Sequence, residues 1–237
     1  MEAPPYLRAI DLRRHYHSGP QNVRALDGVG LSVERGEFLS IVGSSGSGKS
    51  TILNLLAGLD TPTSGSIELE GRSFSQMSRR ELAAYRAHSM GMIFQSFNLI
   101  SHYTALQNVE TALYFNDTPA HERRHRAEEA LAGLGLGDRL THRPSDLSGG
   151  EQQRVAVARA IVKKPHILFA DEPTGNLDYE NSEQIAALLS QLNRSGLTVL
   201  MVTHNRELAE RCADRTIRMH YGRIAGATGG EPRSAQT

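Results

Sequence analysis

The sequence predicts an α/β fold with a mostly parallel core sheet, an antiparallel β subdomain at its N-terminal end and a helical insert. Short, nearly continuous apolar runs at 38–42, 91–94, 166–170 and 198–202 have the length and composition of strands covered on both faces. Helical patterns follow two of them, at 49–57 and after Asp178, an alternation that asks for parallel strands joined by crossover helices. From Ser96 to Lys164 the alternation stops. Three helical patterns stand there with no strong strand between them, which marks an inserted subdomain.

In chain order, residues 6–16 and 23–33 read as two strands around a turn at Ser18, Gly19 and Pro20. Val23, Ala25 and Leu26, then Val29, Leu31 and Val33 alternate in part, as in a half-exposed antiparallel pair. Tyr16 stands at the end of the first strand, beside that turn. After the strand at 38–42, Leu53, Leu55, Leu56 and Leu59 give the next helix its core face, and Gly58 stops it. A turn at 61–65, a strand at 66–69 and a second turn at Glu70-Gly71 follow. Ser78 and Glu81 have the spacing of a capping box and open a charged surface helix that runs to Ala87.

The strand at 91–94 ends at Gln95. Helices are expected at 106–115, 119–134 and 148–164. The basic run at 121–126 is followed by Glu128 and Glu129, and Glu122 stands four residues before Arg126, so this is a solvated helix face rather than a binding patch. Asp178 caps a helix whose Ile185, Leu188, Leu189 and Leu192 fall at i, i+3, i+4 and i+7, and Gly196 ends it. A hairpin at 217–224 closes the domain, which is expected to span residues 1–225 with its helical subdomain at about 96–164. The stretch 226–237 has no apolar anchor and is predicted to be disordered.

Composition narrows the function classes. Lys plus Arg and Asp plus Glu number 26 each, so no net basic field is present to hold nucleic acid. The single cysteine, Cys212, excludes an internal disulfide and a cysteine metal cluster. The first residues lack the basic-then-apolar order of a signal peptide, and no run approaches the roughly 18 apolar residues of a membrane span. The expectation is a cytoplasmic protein whose partner supplies any membrane span.

The chemistry starts at Gly43-Ser44-Ser45-Gly46-Ser47-Gly48-Lys49-Ser50, which fits G-x-x-x-x-G-K-[ST] between a strand and a helix. Glycines let the backbone curl so that N–H groups and the helix start face an oxyanion. Lys49 would reach β- and γ-phosphates, Ser50 would ligate Mg²⁺, and Thr51 belongs to the same cradle. The chain is therefore expected to bind a nucleoside triphosphate. Gln95, Asp171-Glu172 and His204 also end strands, and in an open parallel sheet those ends face the ligand crevice. Asp171 suits a second Mg²⁺ contact, and Glu172 is placed to take a proton from the attacking water. Gln95 and His204 could each contact that water, the metal or the γ-phosphate. Leu147-Ser148-Gly149-Gly150-Glu151-Gln152 is a second anion-ready helix start, with Ser148 and Glu151 as a capping box; its paired glycines suit close approach of a phosphate.

These motifs, in this order, resemble the ATP-binding subunit of ABC transporters from about Leu7 to Ala225. The resemblance implies that residues 43–50 are the Walker A, Gln95 the Q-loop, 147–152 the signature and 166–171 the Walker B. It likewise implies Glu172 as catalytic glutamate, Asn176-Leu177-Asp178 as D-loop, His204 as switch histidine and Tyr16 as the adenine-stacking aromatic. A head-to-tail homodimer is implied, each ATP lying between one copy's Walker A and the other's Ser148-Gly149-Gly150. Residues 94–99, 104–109 and 171–178 are similar to the lipoprotein-releasing and macrolide-export ATPases, although Ser44 and Glu151 depart from that group. A membrane permease is then expected to dock at 94–103, where Phe97, Leu99, Ile100 and Tyr103 suggest an exposed apolar cluster. The alternatives are a regulatory membrane complex like that of the cell-division ATPase, or a non-transport ABC ATPase. The latter usually has coiled-coil, zinc or basic-track features that this sequence lacks.

Overall fold

The computed structural model describes residues 4–18 and 21–229. Its elements are β1 (Leu7–Ser18), β2 (Gln21–Val33), β3 (Phe38–Val42), α1 (Lys49–Leu56), β4 (Ser64–Leu69), β5 (Arg72–Ser73), α2 (Arg79–Ala84), β6 (Met90–Ile93), α3 (Ala105–Glu110), α4 (Ala120–Ala132), α5 (Gly149–Ile161), β7 (Ile167–Asp171), α6 (Tyr179–Arg194), β8 (Thr198–Thr203), α7 (Arg206–Cys212), β9 (Arg215–His220) and β10 (Arg223–Thr228). They form two compact units: residues up to 82 with those from 190 onward, and residues 83–189.

In the first unit β1 pairs antiparallel with β2 and β4, and β4 with β5. β3 lies parallel to β8 and β9, and β10 closes antiparallel on β9. β3 and β8 are buried along their whole length, which is why neither alternates in polarity. Glu37 enters the base of β3 almost fully buried, and a buried carboxylate needs partners. Arg215 Nε donates to it at 2.7 Å and Glu34 N at 2.8 Å, while Arg215 Nη2 donates to Ser32 O at 2.6 Å. Ile52, Leu53, Leu55 and Leu56 bury one face of α1 completely.

In the second unit β6 and β7 pair in parallel. α3, α4 and α5 share a core that includes Leu106, Val109, Leu131, Val155 and Ala158. Gly91 lets α5 come close to β6: a Cβ there would stand 2.6 Å from Ala160 O.

The element ends differ from the sequence expectation in places. The helix begun at Ser78 keeps its capping box but turns into one π-type turn at Tyr85–Ser89. α3 is shorter than expected and continues as a 3-10 turn at Thr111–Leu113. The second unit is wider than the 96–164 insert, because β6, β7 and most of α6 belong to it. β10 reaches Thr228, so the stretch expected to be disordered from 226 begins with ladder residues; residues 230–237, like Gly19 and Pro20, lie outside the described residues. The Glu122–Arg126 pair does not form. Arg126 turns to Thr118 Oγ1 at 3.0 Å and Val162 O at 3.2 Å, and the i,i+4 pairs on α4 are Arg124–Glu128 and His125–Glu129.

Candidate functional site

In the first unit β3 delivers residues 43–48 to the start of α1. Gly48 holds φ 98°, and a Cβ there would meet Ala25 O at 2.4 Å, so only glycine fits this corner. Gly43 is pressed between Ser47 Oγ and Met219 O, 2.5 and 2.6 Å from the place of a Cβ. Gly46 faces open space. The Lys49 side chain is buried and folds back, donating Nζ to Gly43 O at 2.8 Å and Ser44 O at 3.1 Å. Ser47 Oγ is buried without a hydrogen-bond partner among the described residues. A buried ammonium, an orphaned hydroxyl and glycine corners at a helix start are the donor set a phosphate chain requires. Ser50 is exposed and Thr51 half-buried in the first turn of α1. His204 is exposed between β8 and α7, beside Asn205, which caps α7 by accepting from Leu208 N at 3.0 Å.

Tyr16 is tethered rather than a free strand-end ring. Its hydroxyl donates to Asp60 Oδ2 at 2.8 Å, and the Arg14 guanidinium covers one ring face 4.5 Å from the centroid. Arg14 also holds the same carboxylate with two bonds of 2.9 Å. Tyr16 as a whole remains 39 % exposed.

In the second unit β7 ends at Asp171, and Glu172 turns out of the strand with φ 46°, its side chain buried. A left-handed conformation costs a side-chain-bearing residue roughly 1–2 kcal/mol and marks an imposed geometry. Two contacts impose it: Gly175 N donates to Glu172 O at 3.0 Å, and the buried Gln153 on α5 donates Nε2 to Pro173 O at 2.5 Å. Gln95 lies just past β6, where its carbonyl accepts Asn176 Nδ2 at 3.0 Å. Phe97 and Asn98 after it are both left-handed, and Arg159 of α5 donates to both of their carbonyls, at 2.8 and 2.5 Å.

α5 opens with the expected capping box: Glu151 N donates to Ser148 Oγ at 3.3 Å and Ser148 N to Glu151 Oε2 at 2.8 Å. Ser148, through its backbone N–H and its hydroxyl, and then Arg139 Nε at 3.1 Å hold the Glu151 carboxyl below the usual carboxylate range. The paired glycines also have an internal reason. A Cβ on Gly150 would stand 1.9 Å from Asn181 Oδ1, and Asn181 in turn donates N and Nδ2 to Asp178, both at 2.8 Å. Those donations lower the Asp178 pKa and make Asp178 the cap of α6. A Cβ on Gly149 would lie 3.6 Å from Leu177 Cδ2 and 4.0 Å from Phe97 Cζ. This unit therefore gathers Gln95, the Glu172 turn, residues 176–178 and the helix start at 148–150. Arg159, Gln153 and Asn181 carry no local sequence signal, since each reads as an ordinary polar helix residue.

The segment expected to expose an apolar cluster does not. Phe97, Leu99, Ile100 and Tyr103 are half-buried, and Leu99 packs on the helical core. Asn108 is buried and fastens this loop, taking Ile100 N at 2.7 Å and donating to Ile100 O, Tyr103 O and Thr104 O. The exposed aromatic side chains described in this unit are Tyr114, Phe115 and Tyr179.

A glycine-cornered phosphate cradle between a buried strand and a helix of an α/β fold defines the phosphate-loop nucleotide-binding class. Within it, the ABC transporter family description matches residues 26–175, and the chain belongs to that family. It is 47 % identical over 228 residues to the macrolide export ATP-binding/permease protein MacB of Brucella melitensis, covering 96 % of this chain and 35 % of that protein. The chain thus spans about a third of the length of these MacB relatives. It is 46 % identical over 220 residues to an uncharacterized ABC transporter ATP-binding protein of Thermotoga maritima, covering 93 % and 94 % of the two chains. Among solved structures, the dimeric bacterial ABC transporter cassette MJ0796 is 40 % identical with a TM-score of 0.87, over 94 % of this chain and 98 % of that one. A second structure of that cassette is a dimeric post-hydrolysis state bound to ADP and Pi.

Proposed function

We propose that this chain is the ATP-hydrolysing subunit of a transporter of the macrolide-export or lipoprotein-release type, working as a head-to-tail homodimer on a membrane permease. The observation that carries the reading is the presence in one chain of both the phosphate cradle at 43–50 and the capped, glycine-paired helix start at 148–150. Gly43, Ser44, Ser45, Gly46, Ser47, Gly48, Lys49 and Thr51 hold the phosphates, and Tyr16 stacks on the adenine with the ring face that Arg14 leaves open. Ser50, Gln95 and Asp171 would hold Mg²⁺, which when bound supplies positive charge to the phosphate oxygens. Glu172 accepts a proton from water as the water oxygen bonds to the γ-phosphorus and the bond to the bridging oxygen breaks, leaving ADP and phosphate. His204 and Gln95 orient the water and the γ-phosphate. Ser148, Gly149, Gly150, Glu151 and Asp178 of one copy close on the nucleotide of the other.

The dimeric MJ0796 structures, one with ADP and Pi, support the dimer and the hydrolysis. The MacB names support a permease partner; its proposed seat is the fastened loop at 94–103. No helix among the described residues is long and apolar enough to cross a membrane; the proposed place of the chain is the cytoplasmic face, held there by the permease. The test is Glu172→Gln. It is expected to keep ATP binding, lower turnover by about 10²-fold or more, and accumulate an ATP-bound dimer in size-exclusion chromatography. Wild-type turnover in this variant would remove Glu172 from its role.

A further inference from the structure

We propose that Arg159 is a positioning residue that locks the turn carrying Gln95 onto helix α5, so that Gln95 and the helix start at 148–150 move as one body. The proposal rests on the reading of both loops as nucleotide contacts. Arg159 sends Nη2 to Phe97 O at 2.8 Å and Nη1 to Asn98 O at 2.5 Å. The two acceptors belong to consecutive residues with φ of 59° and 50°; asparagine adopts this conformation readily, but for the bulky Phe97 it marks an imposed geometry. Successive residues in this conformation turn their carbonyls the same way, and the planar guanidinium fork matches such a pair, where an ammonium is a point donor.

The turn is fastened at two further points. Asn176 Nδ2 donates to Gln95 O at 3.0 Å, and the Phe97 ring reaches the neighbourhood of Gly149. One residue, Phe97, therefore touches α5 through its carbonyl at Arg159 and approaches the first turn of the same helix through its ring. A surface arginine serving solvation would extend into water. Arg159 is instead half-buried against backbone oxygens, and burial lowers its pKa from the usual arginine value. Arg159 and both of its acceptors belong to the second unit and the cradle at 43–50 to the first, so the proposal expects a loss in catalysis rather than in ATP binding.

The experiment compares the purified chain with Arg159→Met and Arg159→Lys in ATP hydrolysis, binding of a fluorescent ATP analogue, and hydrogen exchange followed by mass spectrometry. The Met variant is expected to bind the analogue within about 2-fold of wild type while kcat falls about 10-fold or more, since a misplacement of one ångström can cost up to about 10²-fold. Lysine should recover part of kcat, because it can donate to one carbonyl. Exchange should rise over 96–100 with the rest of the chain unchanged. A folded Met variant with wild-type kcat and unchanged exchange at 96–100 overturns the proposal. So does equal loss of analogue binding and thermal stability in both variants, which would make Arg159 a general packing residue. If the wild-type chain binds the analogue but hydrolyses nothing, the assigned function fails, and exchange at 96–100 alone decides the role of Arg159.

Discussion

Gly150 shows how one residue can satisfy two demands. Its lack of a side chain makes room for the Asn181 amide, and in the proposed reading the same helix start takes a phosphate. Asn181 cannot swing aside freely, because its N and Nδ2 both serve Asp178. Gly150→Ala is therefore expected to destabilise the protein by roughly 1–3 kcal/mol, the usual result of forcing a methyl group into a packed contact. Adding Asn181→Ala removes the obstacle, so the double variant should regain more than half of that loss in a urea titration. Non-additivity of this kind is expected of residues in contact. Simple addition of the two single effects would show that the clash is relieved elsewhere, and that the glycine serves the anion alone.

Helix α5 links the loops of its unit, since it carries the capping box at 148–151, Gln153 against Pro173 and Arg159 against the Gln95 turn. Glu151 has two tasks there: its carboxylate accepts from Ser148 N and pairs with Arg139. Glu151→Ala should cost about 1 kcal/mol for the cap and a few tenths more for a partly exposed ion pair. Glu151→Gln keeps an acceptor for Ser148 N and should cost less than about 0.5 kcal/mol, checked by urea midpoints. Much of this element was legible in sequence, because capping, period and glycine placement are local signals. β3, β7 and β8 were legible for the same reason, as buried strands carry continuous apolar runs. What sequence reasoning missed is set by contacts between distant segments. Arg159 reads as a surface arginine until Phe97 and Asn98 are found beneath it, 62 and 61 residues away in sequence. Likewise Tyr16 reads as a free ring until Arg14 and Asp60 are seen to tether it. The apolar loop at 97–103 looked exposed because nothing local announces that the Asn108 side chain folds back to hold it.

At the scale of the whole molecule, carboxylates at caps and ion pairs set the acid limit of stability. In the first unit Ser78, through its backbone N–H and hydroxyl, and then Arg72 bring the Glu81 pKa down to about 2, and Arg223 lowers that of Asp27. In the second, Arg143 N lowers Asp146, Ser148 N lowers Glu151 and Asn181 N lowers Asp178. All five shifts have the same sign. The folded chain binds fewer protons than the unfolded chain once pH approaches the ordinary carboxylate values near 4. Their contribution is fully present above those values and is lost as pH falls through the lowered folded ones. At that acidity the carboxylates neutralise while 26 Lys and Arg and 10 His carry charge, so self-repulsion acts in the same direction. Melting followed by circular dichroism should thus give a steady Tm from pH 7 to about 5 and a fall that steepens towards pH 2.5. Because both units hold such carboxylates, both should weaken in the same window. Glu81→Gln removes one titrating cap, so its Tm should start lower at pH 7 and converge on wild type near pH 2. Parallel curves that never converge would mean that the Glu81 bonds contribute nothing that protonation can remove.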